Sequence, residues 1–144
     1  MPMSLMPRCL ALAMIAALSS AGALAQGGDD WEQKPYTVVD GKVDFATYNG
    51  WRRYHSRCFT CHGFDGLGSS YAPNLTESIP RIGYEGFIEA VIYGKKDVNQ
   101  AQQLVMPSFG EDEEVTNNID DIYSYLKARA DGALGRGRPE RQPK

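Results

Sequence analysis

Cys58, Cys61 and His62 stand together in the stretch YHSRCFTCHGFDG, two thiols three positions apart with an imidazole directly after the second. Such a cluster supports three kinds of chemistry. The thiols can form a disulfide or a redox dithiol, the three groups can hold part of a zinc site, or the thiols can add across the vinyl groups of one porphyrin while the imidazole takes the iron. A thioredoxin-like dithiol belongs at the start of a helix that follows a strand, where the helix N-terminus stabilises a thiolate. Here DFATYNGWRRYHSRC precedes the pair and reads as a helix. Asp44 suits an N-cap, and aromatic side chains recur at Phe45, Tyr48, Trp51 and Tyr54. The thiols therefore fall at a helix C-terminus. Structural zinc takes about four ligands, whereas the cluster supplies three, with Cys61 and His62 awkwardly adjacent. Haem attachment needs these residue types in this order, with His62 under the iron.

A proximal histidine leaves one iron position to account for. An open position would suit gas binding or peroxide chemistry, whereas a thioether would make the iron a one-electron relay. Met106, in LVMPSFG, is the candidate sixth ligand, carried by a loop with Pro107 and Gly110; the competing reading is a core filler. His55, the only other histidine, lies on the entering helix and reads as a partly exposed helix residue. An enzyme with an open haem would need a distal acid–base group, and no distal histidine is available for that role.

The elements that must position these groups occupy one small domain. Residues 1–25 read as a signal peptide: Arg8 is the positive flank, CLALAMIAAL the apolar core, and Ala23-Leu24-Ala25 the small residues before a cut at Gln26. The expected location is periplasmic, with no stable membrane insertion once the leader is cleaved. Cleavage removes Cys9 and four of the five methionines, leaving Cys58, Cys61 and Met106 as the sulfur-bearing residues. The whole chain has a formal charge of −3, and loss of Arg8 makes it one unit more negative, which argues against nucleic acid as a partner. Residues 26–43 read as an extended segment draped over the domain, 44–131 as the domain itself, and the Gly-, Arg- and Pro-rich residues 132–144 as a flexible tail. GYEGFIEAVIYGKK reads as a helix capped by Gly94. DEEVTNNIDDIYSYLKARADG reads as the last helix, with Val115, Ile119, Ile122 and Leu126 on one stripe.

With these pieces in place the chain resembles the class I c-type cytochromes over nearly all of residues 26–144. In that family a glycine stands eight residues before the first motif cysteine and an aromatic four before it, here Gly50 and Tyr54. The resemblance implies that Gly50 lets the last helix cross closely, with Tyr125 as the crossing aromatic. It implies that Pro73, in APNL, accepts the second N–H of His62. The fold it implies is all-α, a small helical domain around one covalent haem c, with thioether bonds at Cys58 and Cys61 and with His62 and Met106 axial. The function it implies is electron carriage rather than enzyme catalysis.

A closer match joins GWRRYHSRC, GLGSSYAPNL, VMPSFG and DDIYSYLKAR. These resemble the methanol-metabolism-related, XoxG-type cytochromes, which accept electrons from lanthanide-dependent methanol dehydrogenases that use pyrroloquinoline quinone (PQQ). Some relatives carry an additional cysteine pair, one of the two just before the final helix, where this chain has Asn117 and Asn118. The resemblance implies a PQQ-dependent alcohol dehydrogenase as donor, an oxidase or another cytochrome as acceptor, and a monomeric carrier. A haem subunit of another respiratory complex is the alternative. The expected docking face includes Phe59, Gly63 and the Met106 loop, and Glu111 to Glu114 either steer the partner or only cap the last helix.

Overall fold

The computed structural model describes residues 29–98 and 103–143. The leader expected at residues 1–25 lies outside the described residues. A short helix α1 (Asp29–Gln33) leads into β1 (Val38–Val39) and β2 (Lys42–Val43), followed by α2 (Phe45–Arg57), the single-turn α3 (Phe59–His62) and a 3-10 turn at Phe64–Gly66. The long α4 (Leu75–Tyr93) is followed by a hairpin of β3 (Lys95–Val98) and β4 (Gln103–Met106). Then come α5 (Glu113–Thr116), α6 (Ile119–Ala130) and β5 (Glu140–Arg141). The frame is helical, as expected, with small pieces of sheet. Among the described residues no helix is long and apolar enough to cross a membrane.

Local chemistry sets the ends of α2 and α4. Asp44 caps α2, its Oδ1 accepting the Thr47 amide at 2.9 Å and its Oδ2 the Thr37 amide at 2.6 Å. Asn74 does the same for α4, accepting the Thr76 amide at 2.9 Å. Gly94 ends α4 at φ 73°, a left-handed conformation that suits glycine. Within α4 the backbone breaks helical geometry at Gly83, three residues after Pro80, so the expected helix at 83–93 is the second limb of a kinked element.

The core forms where α2 and α4 pack on α6. Tyr54, Ile79, Phe87, Val91, Ile122, Tyr123, Tyr125 and Leu126 are all buried there. Gly50 stands at the α2–α6 crossing: a Cβ on it would lie 1.7 Å from the backbone oxygen of Asp121. The partner at the crossing is thus the Asp121–Ile122 backbone and not Tyr125. Tyr125 lies one turn further on, its ring 5.5 Å from that of Tyr54.

Four other details differ from expectation. The last helix is two helices, because Asn118 adopts φ −127°, ψ 19° and uses its side chain elsewhere. Its amide donates to the Glu114 carbonyl at 3.0 Å and its oxygen accepts from Asn49 at 2.7 Å. Met106 closes a strand rather than sitting in a loop, paired with Lys95 across the hairpin. The described part of the N-terminal segment forms α1 and a two-strand turn, with Trp31 edge-on to Tyr84 at 5.2 Å. The tail, expected to be flexible, folds back: Leu134 is buried and β5 runs parallel to β2, which it flanks opposite β1.

Candidate haem-attachment site

The attachment stretch begins where α2 runs out. The Cys58 amide still donates to the Tyr54 carbonyl at 2.8 Å, but its φ of −107° bends the chain into α3. One turn then carries Phe59 to His62, closed by the His62 amide donating to the Cys58 carbonyl at 3.0 Å. Gly63 ends the turn at φ 75°, where a Cβ would meet the Gly68 carbonyl at 2.4 Å. The segment after it is held by three hydrogen bonds. The Gly68 amide donates to the His62 carbonyl at 2.7 Å, the buried Tyr54 hydroxyl donates to the Gly63 carbonyl at 2.6 Å, and the Ser69 hydroxyl donates to the Cys61 carbonyl.

His62 is buried, and its Nδ1 lies 3.1 Å from the carbonyl oxygen of Pro73. A carbonyl only accepts, so Nδ1 carries the proton and Nε2 keeps its lone pair. Burial pushes the imidazole below its usual pKa, against a smaller opposite pull from the Pro73 bond. The neutral ring is the form that ligates metal, and a carbonyl on its far nitrogen fixes its tautomer.

Cys58 and Cys61 are free thiols, the first half-buried and the second exposed. Burial, with the Cys61 sulfur close by, pushes the Cys58 thiol up to about 12. That is the reverse of a reactive dithiol, whose thiolate is stabilised. Among the described residues no group of three or more His, Cys, Asp and Glu is arranged to hold a metal ion by itself. Two unpaired thiols one turn apart, followed by a neutral histidine with a free nitrogen, fit the edge and one face of a haem.

Met106 belongs to a different element. It is half-buried against the core at the end of β4. The chain after it is drawn back to the end of α4, the Phe109 amide donating to the Val91 carbonyl at 2.9 Å and the Ser108 hydroxyl to the Ile92 carbonyl at 2.5 Å. Gly94 permits the approach, because a Cβ there would lie 2.5 Å from the Met106 carbonyl oxygen. His55 is engaged locally, its Nδ1 2.8 Å from the Trp51 carbonyl and its ring between those of Trp51 and Phe59. Two residues of the site escape sequence reading: the hydroxyl of Tyr54, and Asp65, whose left-handed φ of 61° is hinted at only by the Asp65-Gly66 pair.

A helical frame around this attachment turn is that of a class I c-type cytochrome. Comparisons with known proteins agree. Residues 46–126 match the family described as cytochrome c oxidase, cbb3-type, subunit III. Cytochrome c-553I of Paracoccus denitrificans is 52% identical over 103 residues, which cover 72% of this chain and 46% of that protein, so the chain spans less than half of that relative's length. Cytochrome c-555 of Methylococcus capsulatus is 40% identical over 100 residues, 69% of this chain and 75% of that one. The crystal structure of the c-type cytochrome XoxG from Methylobacterium extorquens AM1 superposes with a TM-score of 0.67 at 47% identity, covering 76% of this chain and 67% of that chain. The chain belongs to the c-type cytochromes, a family of electron-transfer proteins rather than enzymes, and its cofactor is covalently bound haem c.

Proposed function

We propose that this protein is a periplasmic one-electron carrier in methanol metabolism. It takes electrons from a PQQ-dependent, lanthanide-type alcohol dehydrogenase and passes them to an oxidase or another cytochrome. The bond between His62 Nδ1 and the Pro73 carbonyl carries the reading, because it prepares a neutral imidazole directly after two unpaired thiols. When bound, the haem supplies reversible one-electron chemistry. Cys58 and Cys61 would hold it through thioether bonds, so that an exported protein would not lose it. His62 would ligate the iron through Nε2, and the Pro73 carbonyl orients its ring and would strengthen that donation. Met106, at the end of the hairpin after α4, would supply a thioether as the second protein ligand, which would close the iron to substrates and raise its potential. The likeness to XoxG, at 47% identity, supports the methanol dehydrogenase as donor.

The test mixes the purified holoprotein with a PQQ-dependent methanol dehydrogenase and follows haem reduction on adding methanol. Direct reduction, with the protein running as a monomer on size exclusion, supports the reading. A haem that stays oxidised while an artificial acceptor is reduced normally removes the dehydrogenase as donor. The family's oxidase-subunit description favours a second reading, a haem subunit docked in a larger respiratory complex. Purification from membranes with other subunits, rather than from the periplasm, would select it.

A further inference from the structure

The loop that joins His62 to its acceptor Pro73 is held from both sides. From within, Tyr54 and the Gly68 amide close it, as described above. From outside, the C-terminal tail grips it through Asp65. This residue lies three positions after His62 and is 3% exposed. Its backbone is left-handed at φ 61°, ψ 17°, a conformation that persists where surrounding bonds enforce it. Its Oδ1 accepts the Gly137 amide at 3.0 Å and its Oδ2 the Arg136 Nε at 3.2 Å. Its carbonyl oxygen accepts the Arg129 Nε at 3.3 Å, and Arg129 also donates to the Leu134 carbonyl at 2.7 Å. Burial alone would raise the Asp65 carboxyl, but the Gly137 amide, Arg136 and Arg129 outweigh it and hold it below the ordinary carboxylate value. Further along, the Arg138 guanidinium lies 5.4 Å from the Trp51 ring centre and 5.7 Å from that of Tyr48, so the tail is also fastened to α2.

We propose that residues 134–142 form a strap that positions the proximal histidine, with Asp65 as the positioning residue through which the strap acts on the loop between His62 and Pro73. The proposal rests on His62 being the iron ligand. Its logic is geometric. The ring of His62 is oriented by a carbonyl at the far end of this loop, so whatever fixes the loop fixes the Nδ1–O contact. A looser contact makes the imidazole a poorer donor to iron.

The experiment uses the holoprotein carrying Arg136→Ala, whose side chain is 70% exposed, so that folding is retained. Amide hydrogen exchange at Gly68, which bonds the His62 carbonyl, should accelerate by about tenfold. The reduction potential should rise, as a weaker histidine donor requires. A purely electrostatic role predicts the opposite sign, because removing Arg136 leaves the Asp65 charge less compensated and favours the oxidised iron. Asp65→Asn keeps an acceptor for the Gly137 amide and tolerates left-handed backbone, so it should loosen Gly68 less than Asp65→Ala does. Arg141→Ala lies in the same tail but over Phe45, and should leave Gly68 unchanged. Unchanged exchange at Gly68 in Arg136→Ala overturns the proposal, as does a fall in potential. A wild-type spectrum without histidine ligation would instead sink the ligand assignment, and exchange at Gly68 would still report on the strap.

Discussion

Gly50 meets the backbone of Asp121 where α2 and α6 cross, with no side chain between them. The separation that a Cβ would have from the Asp121 oxygen, 1.7 Å, leaves no room for even a methyl group. Gly50→Ala must therefore push the helices apart. The expected loss is about 3 kcal/mol, the upper part of the range for overpacking. Denaturant unfolding followed by haem absorbance checks it, and an unchanged midpoint would show that the helices do not cross there.

Tyr54 links this crossing to the attachment turn. Its ring packs on Tyr125 in the core, while its hydroxyl donates to Gly63 at 2.6 Å. Tyr54→Phe keeps the packing and leaves the Gly63 carbonyl only the longer bond from the Gly66 amide at 3.4 Å. It should lower stability by about 1–2 kcal/mol with little change in the core. Calorimetry of the holoprotein measures this, and exchange at Gly63 and Gly68 should locate the effect in the turn.

Met106→Ala separates ligand from core filler. As a ligand, Met106 gives the oxidised protein a weak near-infrared band, and its removal abolishes that band and lowers the reduction potential. As a filler, its removal costs stability but leaves the spectrum alone. A band that survives in the variant assigns the sixth position to another residue.

Alkaline pH tests how the N-terminal segment is fastened. Tyr36 is buried and donates to Asp131 at 2.9 Å; burial first, then that carboxylate, pushes its phenol up to about 12. The folded value lies above the unfolded one, so the contribution to stability is complete below pH of about 10 and is lost as pH rises towards 12. The difference in unfolding free energy between wild type and Tyr36→Phe should shrink across that window. A constant difference would show that the phenol is not perturbed.

Legibility in the sequence followed the range of the interactions involved. Asp44, Asn74 and Gly94 act on neighbours within a few residues, and the attachment motif and the α6 stripe are periodic or contiguous. Asp44 and Gly94 could be read as caps, and the stripe as a helix face. The break at Asn118 could not, because it depends on bonds to Glu114 and to the distant Asn49. Tyr125 was the wrong partner for Gly50 because a crossing without side chains leaves no residue type to recognise. The tail's Arg136 finds Asp65 across 71 positions, and a contact of that kind has no local period.

The α2–α6 crossing also sets an order of events. Asn49, beside Gly50 on α2, bonds Asp121 across a separation of 72 residues, so the two helices meet late in any chain delivered from its N-terminus. Closing so large a loop is a slow, entropically costly step. Until α6 is in place, Tyr54 lacks its contact with Tyr125, and the turn that carries Cys58, Cys61 and His62 lacks the core packing that α6 supplies. On the proposal that Cys58 and Cys61 take the haem, both thiols stand open to reaction before the last helix packs, and its packing closes the core behind them.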